Sequence, residues 1–244
     1  MRRVRLLVQY DGTDYAGFQV QPDRPTVQQE LEDGLARLLG EKVRVTAASR
    51  TDAGVHALGQ VVAFGTESVI PAERIPRALN GLLPVAVSCV AAEDCPINFH
   101  PRFDARSKLY TYRVLNRTTP SPFICRYAWH VTEQLDVAAM REAARHVPGT
   151  HDFASFCAAG SAVQDTRRTV GRLDLETEAD VIEARIEGDG FLYMMVRIII
   201  GTLVEVGRGR MDPAGMGEVI AGRDRGLAGP TAPPQGLCLV RVTY

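Results

Sequence analysis

The stretch Arg50-Thr51-Asp52-Ala53-Gly54-Val55-His56 sets a guanidinium and a carboxylate two residues apart on a glycine-containing turn. The run entering it, Val43 to Ala47, and the run leaving it, Gln60 to Phe64, read as strands. A turn at a strand end is where a rigid sheet presents side chains for chemistry. Two readings fit these residues alone. In one, Asp52 bonds its own backbone as a turn residue and Arg50 is its solvated neighbour; in the other, Asp52 is a reacting carboxylate. Arg197 is the second informative position, the only charged side chain between Asp189 and Glu205. A guanidinium keeps its proton at neutral pH, so a buried Arg197 needs a carboxylate. On one wet helix face it snorkels instead. In Tyr110-Thr111-Tyr112-Arg113, strand alternation sends both tyrosines to one face, as sheet core or as a stacking platform.

The elements that must position these groups follow from periodicity and punctuation. Val4 to Tyr10 predicts a strand ending in the Asp11-Gly12 turn. A helix opens at Thr26 with Gln29 three residues on, the capping-box spacing, and turns Val27, Leu31, Leu35 and Leu38 inward. The strands flanking Asp52 come next. A second helix is expected from Pro71 to Leu83 with Ile75, Ala78, Leu79 and Leu82 inward, then a strand from Val85 to Val90. Beyond a boundary near Asp104, Leu109 to Leu115 reads as a strand. Asp136 caps a helix facing inward with Val137, Met140, Ala144 and Val147. Thr169 to Leu175 and Val181 to Ile186 form a hairpin, an apolar helix covers Phe191 to Val206, and a shorter helix starts at Asp212-Pro213. Leu237 to Val242 closes the chain as a strand. The expectation is an α+β protein of two ferredoxin-like β-α-β-β-α-β halves, residues 1–104 and 105–244, with joined, mainly antiparallel sheets and a central catalytic cleft.

Composition narrows the functional classes. The chain has 244 residues and a formal net charge of −1, so a nucleic-acid partner would require charge segregated into a basic cleft. Lysine occurs only at positions 42 and 108, and the rest of the basic complement is Arg. That skew suits bidentate phosphate contact and fits codon bias in a GC-rich genome equally well. The cysteines at 89, 95, 125, 157 and 238 form no Cys-x-x-Cys and read as reduced thiols in the cytoplasm. Met1 to Val8 runs straight into a strand and is not read as a signal peptide. The apolar run 190–204 is too short to span a bilayer, so no membrane is expected. No GxGxxG after a strand, P-loop or metal-ligand spacing is found.

Ser49-Arg50-Thr51-Asp52-Ala53-Gly54-Val55-His56-Ala57 resembles the signature of the tRNA pseudouridine synthases of the TruA family, which modify uridines 38, 39 and 40 in the anticodon arm. The likeness runs through nearly the whole chain. It takes in Tyr10 to Gln19, Phe99 to Ala105, Tyr110 to Arg113, His151 to Phe153, Met195 to Arg197, Leu203 to Gly207 and Gly236-Leu237. It implies that Asp52 is the nucleophile or base, paired with Arg197, which lowers its pKa and fixes its rotamer. It implies that Tyr110 stacks on the target uracil and that Leu237 packs on the base's other side. Arg50 is assigned to the RNA, and Arg102, Arg106 and Lys108 are candidates to line the basic cleft. His56 and His151 are left as structural. Ser49, Phe18 and Met194 stand where the family usually has Gly, Trp and His. The implied reaction breaks the N1–C1′ bond and rejoins the base through C5 without redox or hydrolysis, so no cofactor is called for. The implied partners are the tRNA anticodon stem-loop and a second copy in a homodimer. The competing classes are a catalytically silent RNA-binding module and a glycosidase-like hydrolase, which would need a second, opposed carboxylate.

Overall fold

The computed structural model describes residues 1–160 and 163–244. In chain order the elements are β1 (Arg2–Tyr10), α1 (Val27–Leu39), β2 (Thr46–Ala47), β3 (His56–Thr66), α2 (Ile75–Asn80), β4 (Val87–Cys95), β5 (Ser107–Asn116), β6 (Trp129–Val131), α3 (Val137–Ala144), β7 (Gly149–Asp152), β8 (Arg167–Glu178), β9 (Val181–Gly188), α4 (Met195–Gly207), α5 (Gly215–Gly222) and β10 (Leu237–Thr243). The class is mixed α+β with mainly antiparallel pairing, as the sequence implies. Two compact units form, one of Met1–Arg106 with Cys238–Tyr244, the other of Ser107–Leu237.

In the first unit β1 lies between β4 and β3, antiparallel to both. The other edge of β3 is shared. β10 pairs parallel with it at His56 and Ala57, and β2 pairs antiparallel at Val62 and Ala63. Alternation along β1 buries Val4, Leu6, Val8 and Tyr10, and the same core takes Leu31 and Leu35 of α1 and Ile75 and Leu79 of α2. Each such aliphatic side chain contributes roughly 1.5–3 kcal/mol by leaving water. In the second unit β5, β9, β8 and β7 pair antiparallel in that order, with β6 parallel to β5. Helix α4 is buried on nearly every side and packs on α3.

Several expectations shift, each for a local reason. Only Thr46 and Ala47 of the Val43–Ala47 run pair as a strand. At Val45 the side chains of α1 take the backbone instead: Glu32 accepts from Val45 N at 3.0 Å, and Gln28 donates to Val45 O at 3.3 Å. Thr26 accepts from Gln29 N at 3.4 Å as a cap should, but the Gln29 amide donates onward to Asp33, leaving the reciprocal half of the capping box unmade. The second helix is a 3-10 turn at Ala72–Arg74 followed by α2, with proline in its first turn, and Ala78 faces solvent. β4 begins two residues late, because Val87 N bonds Pro84 O and that turn leaves Val85 outside. The apolar helix starts at Met195 rather than Phe191, since Met194 takes a left-handed φ of 59°. Asp212 and Pro213 form the turn before α5 rather than its first residues. The short strands β6 and β7 carried no alternation long enough to find. Among the described residues no helix is long and apolar enough to cross a membrane.

Candidate active site

Asp52 opens a tight turn: Val55 N donates to Asp52 O at 3.2 Å, and Gly54 sits at a φ of +75°. Positive φ at the third turn residue is the type II geometry that calls for glycine. The turn leaves the Asp52 carboxylate half-buried and Arg50 exposed. It is held from two sides. Behind it, Gln60 is fully buried in β3 and closes on Ser49 twice, accepting from Ser49 N at 3.2 Å and donating to Ser49 O at 2.8 Å. Gln60 also donates to the Tyr10 hydroxyl at 3.3 Å, which pairs with Thr51 Oγ1 at 2.8 Å. In front, the Asp11–Phe18 segment lies directly on the turn: Phe18 N donates to Thr51 O at 3.0 Å and Gly54 N to Tyr15 O at 3.3 Å.

That approach is possible only where side chains are missing. A Cβ on Gly12 would stand 2.0 Å from Val55 O, and one on Gly17, at φ +102°, 2.8 Å from Thr51 O. His56 seals the far end, with Nδ1 at 3.1 Å from both Gly12 N and Asp11 Oδ1. A neutral ring accepts from Gly12, and a charged one pairs with Asp11. Tyr15, packed beside the turn, has its phenol pushed up by burial and further by the Glu30, Asp14 and Asp11 carboxylates. Two segments about forty residues apart thus build one rigid cradle for Asp52. Because Gln60 contributes three hydrogen bonds of net worth near 0.5–1.5 kcal/mol each, Gln60→Leu is expected to cost about 2–4 kcal/mol. Urea unfolding checks this, and an unchanged midpoint would show that the cradle holds without it.

Arg50 and Arg102 come together around one cavity of the first unit, about 230 Å³, which Arg44, His100 and Phe103 also line. Lys108 belongs to the second unit and is 8% exposed. Arg106 is exposed in the first unit and donates its N–H to Thr243 O.

In the second unit Tyr110 and Tyr112 share the inner face of β5, as alternation requires. Tyr110 is 6% exposed and meets the Phe191 ring edge-on at 5.3 Å. Arg197 is 9% exposed, so it does not sit on a wet face of α4. Its Nε donates to Ala232 O at 2.8 Å while Ala232 N donates back to Arg197 O at 3.0 Å. The same segment is fastened along its length. Gly229 N bonds Thr202 Oγ1 at 2.9 Å, and Pro230 O fits where a Cβ on Gly201 would stand 1.7 Å away. Pro233 O accepts from the Tyr112 hydroxyl at 2.7 Å, and Gly236 lies on the Tyr112 ring. Burial pushes the Tyr112 phenol well above its usual range, against the opposing pull of the Arg197 guanidinium. Leu237, buried, follows directly on this fastened strap. His151 bonds Pro148 O and packs on Phe153.

Sequence reasoning missed Gln60, Tyr10 and Thr51 as supports of the turn, and Arg44, His100 and Phe103 as cavity walls. A fully polar side chain in the middle of a β-branched strand was the one available signal, at Gln60.

A family model described as tRNA pseudouridine synthase matches residues 6–104 and 143–244. A protein of Moorella thermoacetica called tRNA pseudouridine synthase A is 48% identical over 243 residues, covering 99% of both chains. One of the same name from Brevibacillus brevis is 48% identical over 244 residues and the full length of both, and one from Geobacter sulfurreducens is 46% identical over the same span. Among solved structures, a chain of a Cbf5-Nop10-Gar1 complex aligns at a TM-score of 0.35 and 14% identity, covering 97% of this chain and 58% of that one, a likeness too low to carry an argument. With two long matched segments and relatives nearly half identical from end to end, the chain belongs to the tRNA pseudouridine synthase family.

Proposed function

We propose that this protein converts uridine to pseudouridine in tRNA, acting on the anticodon stem-loop at positions 38, 39 and 40. The observation that carries the reading is Asp52, half-buried on a turn clamped from both sides, in a chain of this family. The reaction is an isomerisation. The N1–C1′ bond breaks, the base turns in the site, a C5–C1′ bond forms, the C5 proton leaves and N1 gains one. Atoms and electrons balance within the substrate, so the reaction calls on no cofactor. Asp52 is the reacting carboxylate, acting at the sugar or the base, and must be ionised at neutral pH. Arg197 is assigned as the cation that favours that ionised form. A uridine paired in a stem has to leave its helix to react, and Tyr110 is assigned as the ring that receives it, with Leu237 against the other face. Arg50 takes a phosphate or guides the everted nucleotide. The working species is a homodimer in the cytoplasm, after the family pattern.

Mapping pseudouridine in tRNA from a strain lacking this gene, together with turnover of an anticodon-arm transcript by the purified protein, tests the reading. A protein that only binds RNA leaves every uridine in that transcript unchanged. Within the same assay Tyr110→Ala is expected to lower kcat/KM by roughly 5- to 150-fold, the worth of one stacked base. Tyr110→Phe keeps the ring, so RNA affinity should stay within about twofold of wild type. Equal losses for both variants would remove the stacking role.

A further inference from the structure

We propose that the cavity beside Asp52 seats one unstacked nucleotide flanking the target uridine, gripping its phosphates with Arg44, Arg50 and Arg102 and stacking its base on Phe103. This rests on the reading that the substrate is RNA, and adds a second nucleotide site to it. The cavity lies wholly within the first unit. Three arginines and His100 line it and no carboxylate does, in a chain whose formal net charge is −1. Among the described residues no ion pair holds any of the three guanidiniums. Guanidiniums gathered on one surface with no direct ion pair favour an arriving anion, and arginine matches the bidentate geometry of phosphate.

The aromatic part is built as well as exposed. Phe103 is 76% exposed, yet its ring lies 4.3 Å from that of His100, and the Arg102 guanidinium sits 5.9 Å over it. The turn carrying it is fixed. His100 Nδ1 accepts from Arg102 N at 3.2 Å and Phe103 N at 3.3 Å, while Asp104 accepts from His100 N at 2.9 Å. An exposed, pre-positioned aromatic ring beside guanidiniums is the pairing that single-stranded nucleic acid uses. The cavity that Phe103 lines is small, about 230 Å³. The side chain amide of Gln19 on its wall gives the base edge both a donor and an acceptor. Arg50 is two residues from Asp52, at most about 7 Å of extended chain, so the bound nucleotide is an immediate neighbour of the target.

The test is equilibrium binding of a fluorescent anticodon-arm RNA across salt, with Arg44→Ala, Phe103→Ala and a series of RNAs abasic at single positions. Both side chains are exposed, so both variants should fold, and thermal melting verifies it. Arg44→Ala should lower the slope of log K against log salt by about 0.7, one phosphate contact on a single strand. Phe103→Ala should weaken binding roughly 5- to 150-fold with the slope unchanged. One flanking abasic RNA should lose the same factor on wild type and show no further loss with Phe103→Ala. Wild-type affinity and slope in both variants would overturn the proposal, and so would a Phe103→Ala loss of equal size on every abasic RNA. Turnover of the same RNA separates this from the parent reading. Turnover with unaltered variants rejects only the nucleotide site. A wild type that binds without turnover rejects only the pseudouridine reaction, and one that does not bind rejects both.

Discussion

Asp52→Asn should reduce pseudouridine formation on an anticodon-arm transcript by on the order of 10⁴-fold or more, the scale seen when a reacting group is removed outright. The substitution is nearly isosteric and takes away only the negative charge and the nucleophilic oxygen. The turn itself should survive, because its contacts run through the Asp52 carbonyl to Val55 and through Ser49, Thr51 and Gly54. RNA affinity should hold or rise slightly, since a carboxylate facing a polyanion is repulsive. The result therefore splits binding from chemistry, and Asp52→Ala should behave alike. Quantifying pseudouridine by mass spectrometry beside an anisotropy titration and a melting curve decides it. Turnover within tenfold of wild type by a folded Asp52→Asn would reject Asp52 as the reacting group, and loss of binding in step with turnover would recast it as an RNA contact.

How far such roles can be read from residues alone differs sharply along this chain. β1, β3, β8 and β9 were legible because alternation or unbroken β-branched runs encode them locally, and α1 because a cap and a four-residue apolar repeat agree. β2 was over-read, since nothing local announces that Gln28 and Glu32 will occupy the backbone of Val45. The start of α4 was over-read for a similar reason: the apolar pattern continues through Phe191 to Met194 while the backbone does not. At the site, an Arg-x-Asp on a turn has the same local signature whether it caps the turn or reacts. Only the resemblance, spread over segments far apart in sequence, separated those readings. The supports of the turn left almost no trace, because what fixes Thr51 and Gly54 is a segment near Gly12 and Gly17. The cavity was half visible: Arg50 and Arg102 stood out as cations near motifs, whereas Arg44 looked like part of a strand and Phe103 like part of a motif.

The steepest structural dependence follows from that cradle. Gly12→Ala should lower kcat by about 10²-fold or more, a loss second only to that of the carboxylate itself. The new Cβ would sit 2.0 Å from Val55 O, whereas an ordinary contact needs 3.4 Å or more. The opposing atom is backbone, so no rotamer relieves the clash and one of the two segments has to move by more than 1 Å. Val55 is joined to Asp52 by the turn hydrogen bond, so the displacement passes into the residue proposed to react. A shift near 1 Å at a reacting centre costs about 10²-fold. Because Gly12 also donates to His56 Nδ1 at 3.1 Å, the melting temperature should fall as well. Circular dichroism separates the two effects: an intact fold with depressed kcat and near-normal RNA affinity is the expected pattern. Wild-type kcat in Gly12→Ala would mean that the Asp11–Phe18 segment yields freely, and that the Asp52 turn is positioned by β3 and Gln60 alone.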